Sequence, residues 1–283
     1  MVATFQTSRS FLFAPGSDER KLRRALEAGA DAVIADLEDA VVATEKEAAR
    51  TTVASVFDAT PAGACARLVR INAVGTVWHA ADLAAVARLD LDGIVLPKAT
   101  AEAALAVTEV LPLPIVAIVE TAAGLRGAYE LAAVPAVARL ILGAVDLGLA
   151  LGLERRADGL ELLHARSALV VDSAAADLPG PIDQVWVDVR DLDGLAADCA
   201  LGRSLGLRAK ACIHPDQVAV VNQAFLPSEN ELSRAREIVA AYERAERDGR
   251  GAVALDGELI DLPVAERARQ LLTESKRSVL HGA

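Results

Sequence analysis

Residues 30–41 read ADAVIADLEDAV. The first half, Ala32–Asp36, is a short, mostly apolar run that closes on a carboxylate. The second half piles up acid, with Glu38 and Asp39 following Asp36. A continuous apolar run of this length suits a strand buried on both faces, as in a parallel sheet. Downstream, Glu45–Phe57 spaces its Ala and Val as an amphipathic helix does. The unit is therefore strand, polar rim, helix.

The same unit recurs along the chain. Strand-like runs are expected at Ser10–Ala14, Ala32–Asp36, Arg67–Asn72, Gly93–Lys98, Ile115–Glu120, Leu140–Asp146, Gln184–Asp188 and Ala209–His214. Between them lie helical patterns such as Asp18–Glu27, Ala80–Leu89, Ala101–Val110 and His164–Asp177. Eight strands alternating with helices predict an α/β fold, a (β/α)8 TIM barrel. An open dinucleotide-type sheet would carry a GxGxxG turn after the first strand, and this chain has none there. The barrel is expected over residues 1–225. Residues 226–283 then form an extension of helix, hairpin and helix: Ser228 caps a charged helix, Asp256-Gly257 separates two short apolar runs, and Pro263 opens a last helix. That extension reads either as a brace or as a lid or subunit-swapping arm.

Composition narrows the function. With 29 Lys+Arg against 40 Asp+Glu the formal net charge is −11, which argues against a nucleic-acid binder and against docking to anionic membranes. Apolar residues make up 53%, too many for a disordered chain. No apolar stretch reaches the ~20 residues of a membrane span, and the start MVATFQTSRSFLF lacks the pattern of a secretory signal. Cys65, Cys199 and Cys212 are scattered and odd in number, which suits reduced thiols in a cytoplasmic protein.

Barrel enzymes place their chemistry at the C-terminal ends of the strands. There this sequence offers Asp36, Glu38 and Asp39, then Arg70 and Asn72, Lys98, Glu120, Asp146 and His214. Glu120 and Asp146 close neighbouring strands, and two carboxylates beside open water positions suit Mg²⁺ or Mn²⁺. Taken singly, Glu120 could instead face a helix N-terminus and Asp146 could cap a turn. Arg70, inside the apolar run LVRIN, needs a partner. The partner is either a rim carboxylate such as Glu38 or Asp39, or a substrate carboxylate held in a two-point grip. Lys98 has the same logic as a charge stabiliser. The basic cluster Ser17–Arg24 reads as a solvated helix face or as a site for a polyanionic handle such as the phosphates of coenzyme A, with Lys21 and Arg24 as candidates.

Seven blocks in order carry a resemblance: RSFLFAPGSDERK, ADAVIADLEDAV, VRINAVGT, DGIVLPKA, IVAIVETAAGL, GAVDLGLALG and AKACIHPDQVAVVNQAFLPSE. Together they resemble the citrate lyase β-subunit-like proteins, including the malyl-CoA and citramalyl-CoA lyases, of the HpcH/HpaI aldolase superfamily. The resemblance implies a Mg²⁺-dependent barrel acting on the C–C bond of 3-hydroxyacyl-CoA thioesters. It implies that Glu120 and Asp146 ligate the metal and that Arg70 binds the oxo-acid carboxylate. Asp36, Glu38 and Asp39 would surround the metal waters and Arg70. ELIDLPVAERARQLL resembles the family's C-terminal segment, which makes Asp261 the candidate acid–base group reaching a neighbouring subunit of a trimer or hexamer. Two other readings stand beside this one: an aldolase acting on free pyruvate, for which the strand-two rim lacks a His, and a subunit of a larger lyase complex.

Overall fold

Parallel ladders join eight strands edge to edge: β1 Ser10–Pro15, β2 Ala32–Asp36, β3 Ala66–Arg70, β4 Gly93–Leu96, β5 Ile115–Val119, β6 Val137–Leu142, β7 Ile182–Asp183 and β8 Ala209–Cys212. β8 pairs back onto β1, so the sheet closes into a barrel. The computed structural model describes residues 4–61, 63 and 65–281. The helices of the first compact unit, Met1–Phe225, are α1 Glu19–Leu26, α2 Lys46–Ala59, α3 His79–Val86, α4 Ala101–Val110, α5 Ala122–Arg126, α6 Ala128–Ala132, α7 Ala144–Leu151, α8 Leu163–Ala175, α9 Leu192–Leu205 and α10 Asp216–Ala224. This is the (β/α)8 barrel that the alternating pattern predicts.

The second compact unit, Leu226–Ala283, contains α11 Glu229–Arg247, a two-stranded hairpin of β9 Val253–Leu255 and β10 Glu258–Ile260, and α12 Leu262–His281. Ser228 and Glu231 form a reciprocal capping box at the start of α11. Asp256 and Gly257, both at positive φ, make the hairpin turn. Arg234 ties α11 to that turn through Asp256 and Glu258, at 2.5 and 2.9 Å.

Strand periodicity of two sorts the barrel's side chains. Phe11, Ala32, Ile34, Leu68, Val95, Val116, Ile118, Ala209 and Ala211 pack in one inner cluster. Their sequence neighbours, such as Leu12, Val33, Ala35, Val69, Ile94 and Leu96, belong to a second cluster shared with the helices. The inner series Ala32–Ile34–Asp36, Ala66–Leu68–Arg70 and Val116–Ile118–Glu120 each step two residues up a strand and end on a charge. Alternation alone thus aims those three groups over the open end of the barrel.

The other end is closed. Phe5, fully buried in a short 3-10 turn at Thr4–Thr7, joins the inner cluster. Arg139 fastens that turn by donating to the carbonyls of Phe5, Ser8 and Gly180 at 3.5, 2.6 and 2.9 Å, and its guanidinium lies over the Phe11 ring.

Two expectations about strands need correction. Strand seven lies at Ile182–Asp183, not Gln184–Asp188. Asp183 anchors it there through a buried cluster in which Arg166 donates to Asp183 and Asp198, and Lys210 donates to the same pair. The chain beyond leaves the sheet, and the Trp186 carbonyl accepts instead from Gln217 Nε2 at 2.8 Å. Strand six ends at Leu142, so Asp146 does not close a strand. The chain turns at Gly143, and Asp146 stands in the first turn of α7.

Cys65, Cys199 and Cys212 are free thiols. Burial pushes the thiols of Cys199 and Cys212 up to about 12, which makes them inert packing groups. Among the described residues no helix is long and apolar enough to cross a membrane.

Candidate active site

Asp36 and Arg70 are register partners on β2 and β3, so the ladder itself sets them side by side. Arg70 Nε and Nη2 grip Asp36 Oδ1 and Oδ2 at 2.7 and 2.6 Å, a two-point fork. Its remaining nitrogen, Nη1, lies 3.1 Å from Glu38 Oε2 and 3.4 Å from Asp39 Oδ2. The contact to Glu38 is an ion pair without hydrogen-bond alignment, and Glu38 Oε2 is left with no hydrogen-bond donor. The guanidinium rests on the Phe13 ring, 5.2 Å from its centre. Burial works against the Arg70 charge, but Asp36, Glu38 and Asp39 outweigh it and hold its pKa above the ordinary value. Of the two partners considered for this arginine, the structure shows the rim carboxylates: the two-point fork is spent on Asp36, and Nη1, which hydrogen-bonds Asp39, is the nitrogen left outside it.

The second half of the site comes from β4 to α7. Glu120 is 5% exposed, and its Oε1 accepts from the Lys98 backbone N–H at 2.7 Å. Lys98 itself sits at positive φ, a conformation uncommon outside glycine. The Lys98 ammonium donates to Glu38 Oε1 at 2.7 Å and lies 3.9 Å from Glu120 and 4.0 Å from Asp146. One cation thus stands among three carboxylates. Burial, with the charges of Glu38 and Asp146 adding to it, pushes the Glu120 carboxyl up to about 7, despite the opposing Lys98. Burial likewise raises Glu38, against Arg70 and Lys98.

Gly143 makes room for this group, and sequence reading passed over it. A Cβ there would overlap Glu120 Cβ and stand 2.8 Å from both Glu120 Oε2 and Ile118 Cγ2. Its signal was available in LILGAVD, a glycine at the exit of an apolar run. Lys46 was missed as well. Although it opens a helix, it is 6% exposed, and its Nζ donates to the carbonyls of Leu37 and Glu38 and to Asn72 Oδ1.

A cavity of about 420 Å³ lies between the two halves. Asp36, Asp39, Arg70, Glu120 and Asp146 line it, together with Phe13, Ile118, Ile141, Val185 and Ile213. Glu38 and Lys98 touch the lining groups from the side. Lys21 and Arg24 are not brought to it. They are exposed on α1, with Lys21 3.4 Å from Asp18. Asp261 belongs to the second unit, where its carboxylate accepts from Val264 N–H at 3.3 Å in the first turn of α12. That is the helix-capping contact an Asp before Pro263 can make.

The donor set fits a hard divalent cation. Among the described residues no three His, Cys, Asp or Glu side chains form a closed metal cage. Glu120 and Asp146 instead offer an open pair of oxygens beside a cavity with room for water, as Mg²⁺-type ions prefer. The Glu120 carboxyl, pushed toward protonation chiefly by its burial, would be held ionised by such a charge.

A model of the HpcH/HpaI aldolase/citrate lyase family matches residues 9–215. The chain belongs to that family. It is an enzyme of the lyase class, citrate lyase beta-like. A (3S)-malyl-CoA thioesterase of Cereibacter sphaeroides (strain KD131) is 39% identical over 270 residues, covering 95% of this chain and 94% of the relative. A citrate lyase subunit beta-like protein of Deinococcus radiodurans is 38% identical over 279 residues, with 94% and 96% covered. Among solved structures, CitE of Mycobacterium tuberculosis in complex with magnesium, acetoacetate and coenzyme A superposes with a TM-score of 0.83 at 34% identity, covering 96% of this chain and 99% of that one.

Proposed function

We propose that this family member is a Mg²⁺-dependent carbon–carbon lyase that cleaves or forms a 3-hydroxyacyl-CoA thioester, such as malyl-, citramalyl- or citryl-CoA, with an acyl-CoA and an oxo acid as the other side of the reaction. One observation carries the reading: the Asp36–Arg70 fork and the Glu120/Asp146 pair face the same cavity. A small oxo acid has a carboxylate for Arg70 Nη1, the nitrogen outside that fork, and further oxygens for a cation that the second would hold. The CitE structure with magnesium, acetoacetate and coenzyme A supports it.

Glu120 and Asp146 hold the cation, which supplies Lewis acidity and a template when bound. Arg70 takes the carboxylate of the oxo-acid half through Nη1, while Asp36 keeps the guanidinium plane fixed. Phe13, Ile118 and Ile141 exclude water from the carbon skeleton. In cleavage, Asp39, exposed at the cavity wall, receives the hydroxyl proton, and the departing thioester enolate is protonated at carbon by Asp261. In condensation Asp261 removes that proton as general base. Asp261 acts from a neighbouring subunit in this scheme, so the enzyme works as a trimer or hexamer, in the cytoplasm. Lys21 and Arg24 meet the phosphates of coenzyme A.

Hydrolysis of the thioester is a second reading, favoured by the name of the Cereibacter relative. One assay separates the two: a panel of thioesters with Mg²⁺, in which oxo acid and free thiol are followed separately. Oxo acid with no free thiol supports the lyase. Free thiol without oxo acid establishes the hydrolase, and aldol activity on free pyruvate without any CoA ester overturns both.

A further inference from the structure

Lys46 spends all three N–H bonds of its ammonium on uncharged oxygens: Leu37 O at 2.8 Å, Glu38 O at 2.7 Å and Asn72 Oδ1 at 2.7 Å. The Trp78 ring lies 5.1 Å away on another side. Taking an ammonium out of water to bond neutral groups is costly, and a methionine would fill the same space without that cost. Burial lowers the Lys46 pKa, and the charges of Asp36, Asp82, Glu38 and Asp39 work against the fall. The position is therefore expensive for packing alone.

What it holds is two successive carbonyls at the exit of β2, those of Leu37 and Glu38. The N–H groups of the same two residues are already fixed, because Leu37 N–H donates to Arg70 O at 2.9 Å and Glu38 N–H to Asp36 Oδ1 at 2.8 Å. Lys46 fixes their carbonyls. Asn72 is held in turn by Asp82, fully buried, which accepts from its backbone N–H and Nδ2 at 2.7 and 2.6 Å and from Arg50 Nε at 2.7 Å. Those contacts force the Asn72 oxygen to face Lys46, and its Nδ2 also donates to Leu37 O at 2.9 Å. A buried chain Arg50–Asp82–Asn72–Lys46 thus joins the exits of β2 and β3, the two strands that carry Asp36 and Arg70.

We propose that Lys46 is a positioning residue for the anion-binding half of the site: it clamps the backbone of Leu37 and Glu38 through their carbonyls so that Asp36 and Glu38 hold Arg70 in the orientation that receives an oxo-acid carboxylate. The proposal rests on the assignment of Arg70 as the carboxylate grip. It separates two kinds of buried lysine in this barrel. Lys210 is buried just as fully, but its partners Asp183 and Asp198 belong to the β7–α9 side and leave Arg70 untouched.

The test compares Lys46→Met with Lys210→Met, using Asp82→Asn as the milder variant should Lys46→Met fail to fold. In ¹⁵N-arginine-labelled protein, the Arg70 Nε resonance, assigned by its loss in Arg70→Lys, reports the fork with Asp36. The expected result is a displaced Arg70 resonance and an approximately tenfold or greater weakening of pyruvate and glyoxylate binding in the presence of Mg²⁺ for the Lys46 or Asp82 variant. Lys210→Met, though destabilised, should leave both readouts at the wild-type value. An unmoved Arg70 resonance in a folded Lys46 or Asp82 variant overturns the proposal. If wild-type protein binds neither oxo acid, the functional reading fails instead, and the Arg70 resonance still decides the role of Lys46.

Discussion

Gly143→Ala adds one methyl group at the point where β6 hands over to α7. The backbone tolerates it, since Gly143 sits at φ −88° and ψ 69°, so the effect is steric. Ordinary carbon contacts begin near 3.4 Å, and the new Cβ would meet Glu120 Oε2 and Ile118 Cγ2 at 2.8 Å and overlap Glu120 Cβ. Relieving the overlap with its Cβ moves Glu120 by about 1 Å, and its hydrogen bond from Lys98 N–H opens with it. Overpacking of this size costs about 1–3 kcal/mol of stability. Displacing a reacting group by about 1 Å costs ~100-fold in rate, or about 2.7 kcal/mol. Calorimetric Mg²⁺ titration and turnover of the active thioester, each beside Glu120→Gln, measure the effect. The expected variant folds, binds Mg²⁺ more weakly and turns over ~100-fold more slowly. Wild-type metal affinity and turnover in Gly143→Ala would show that Glu120 is not held where a ligand must be, and would refute the reasoning.

Arg70→Lys keeps the charge but loses the planar fork to Asp36, so kcat/KM should fall ~100-fold or more, and a wild-type value would make Arg70 structural. Asp198 is raised by burial but lowered more strongly by Lys210 and Arg166, and lies below its ordinary value of 3.8 overall. A depressed carboxyl pKa contributes stability above the unfolded-state value and loses it as pH falls through the folded one. Asp198→Asn should therefore be less stable by about 3–5 kcal/mol at neutral pH, with the gap narrowing in urea melts below pH 3.8. Asp261→Asn and Glu120→Ala proteins, each inactive alone, should regain partial turnover after subunit exchange. Near-normal activity of Asp261→Asn, or no complementation after proven exchange, would remove the trans-acting role.

The barrel was legible because its strands announce themselves twice, as apolar runs and by the charge that ends them. Asp36, Arg70 and Glu120 could be placed on one rim because each stands at the end of an apolar run, and the structure adds that each lies two residues above an inward-facing apolar side chain. Asp146 was placed at the right rim by the wrong element, because an apolar run that continues into a helix has no internal mark except Gly143. Strand seven was misplaced for a related reason. The run QVWVDV looks like a strand, while the true one is two residues long and anchored by Arg166 and Lys210, whose meeting with Asp183 no local pattern reveals. Lys46 and Gly143 escaped because their roles lie in what they stand beside in space. A lysine at a helix start reads as solvated, and a glycine at a strand end reads as a turn.

The floor of the barrel has a practical bearing on how this protein can be handled. The family match begins at residue 9, which makes it tempting to trim an expressed protein to that point. Trimming there would remove Phe5 and leave the Arg139 guanidinium, 1% exposed, without the Phe5 and Ser8 carbonyls that receive it. The inner cluster would then lose Phe5 from its lower end and keep a buried, partly unsatisfied guanidinium there, so the shortened chain is expected to be less stable. A purification tag belongs ahead of Thr4, never in its place.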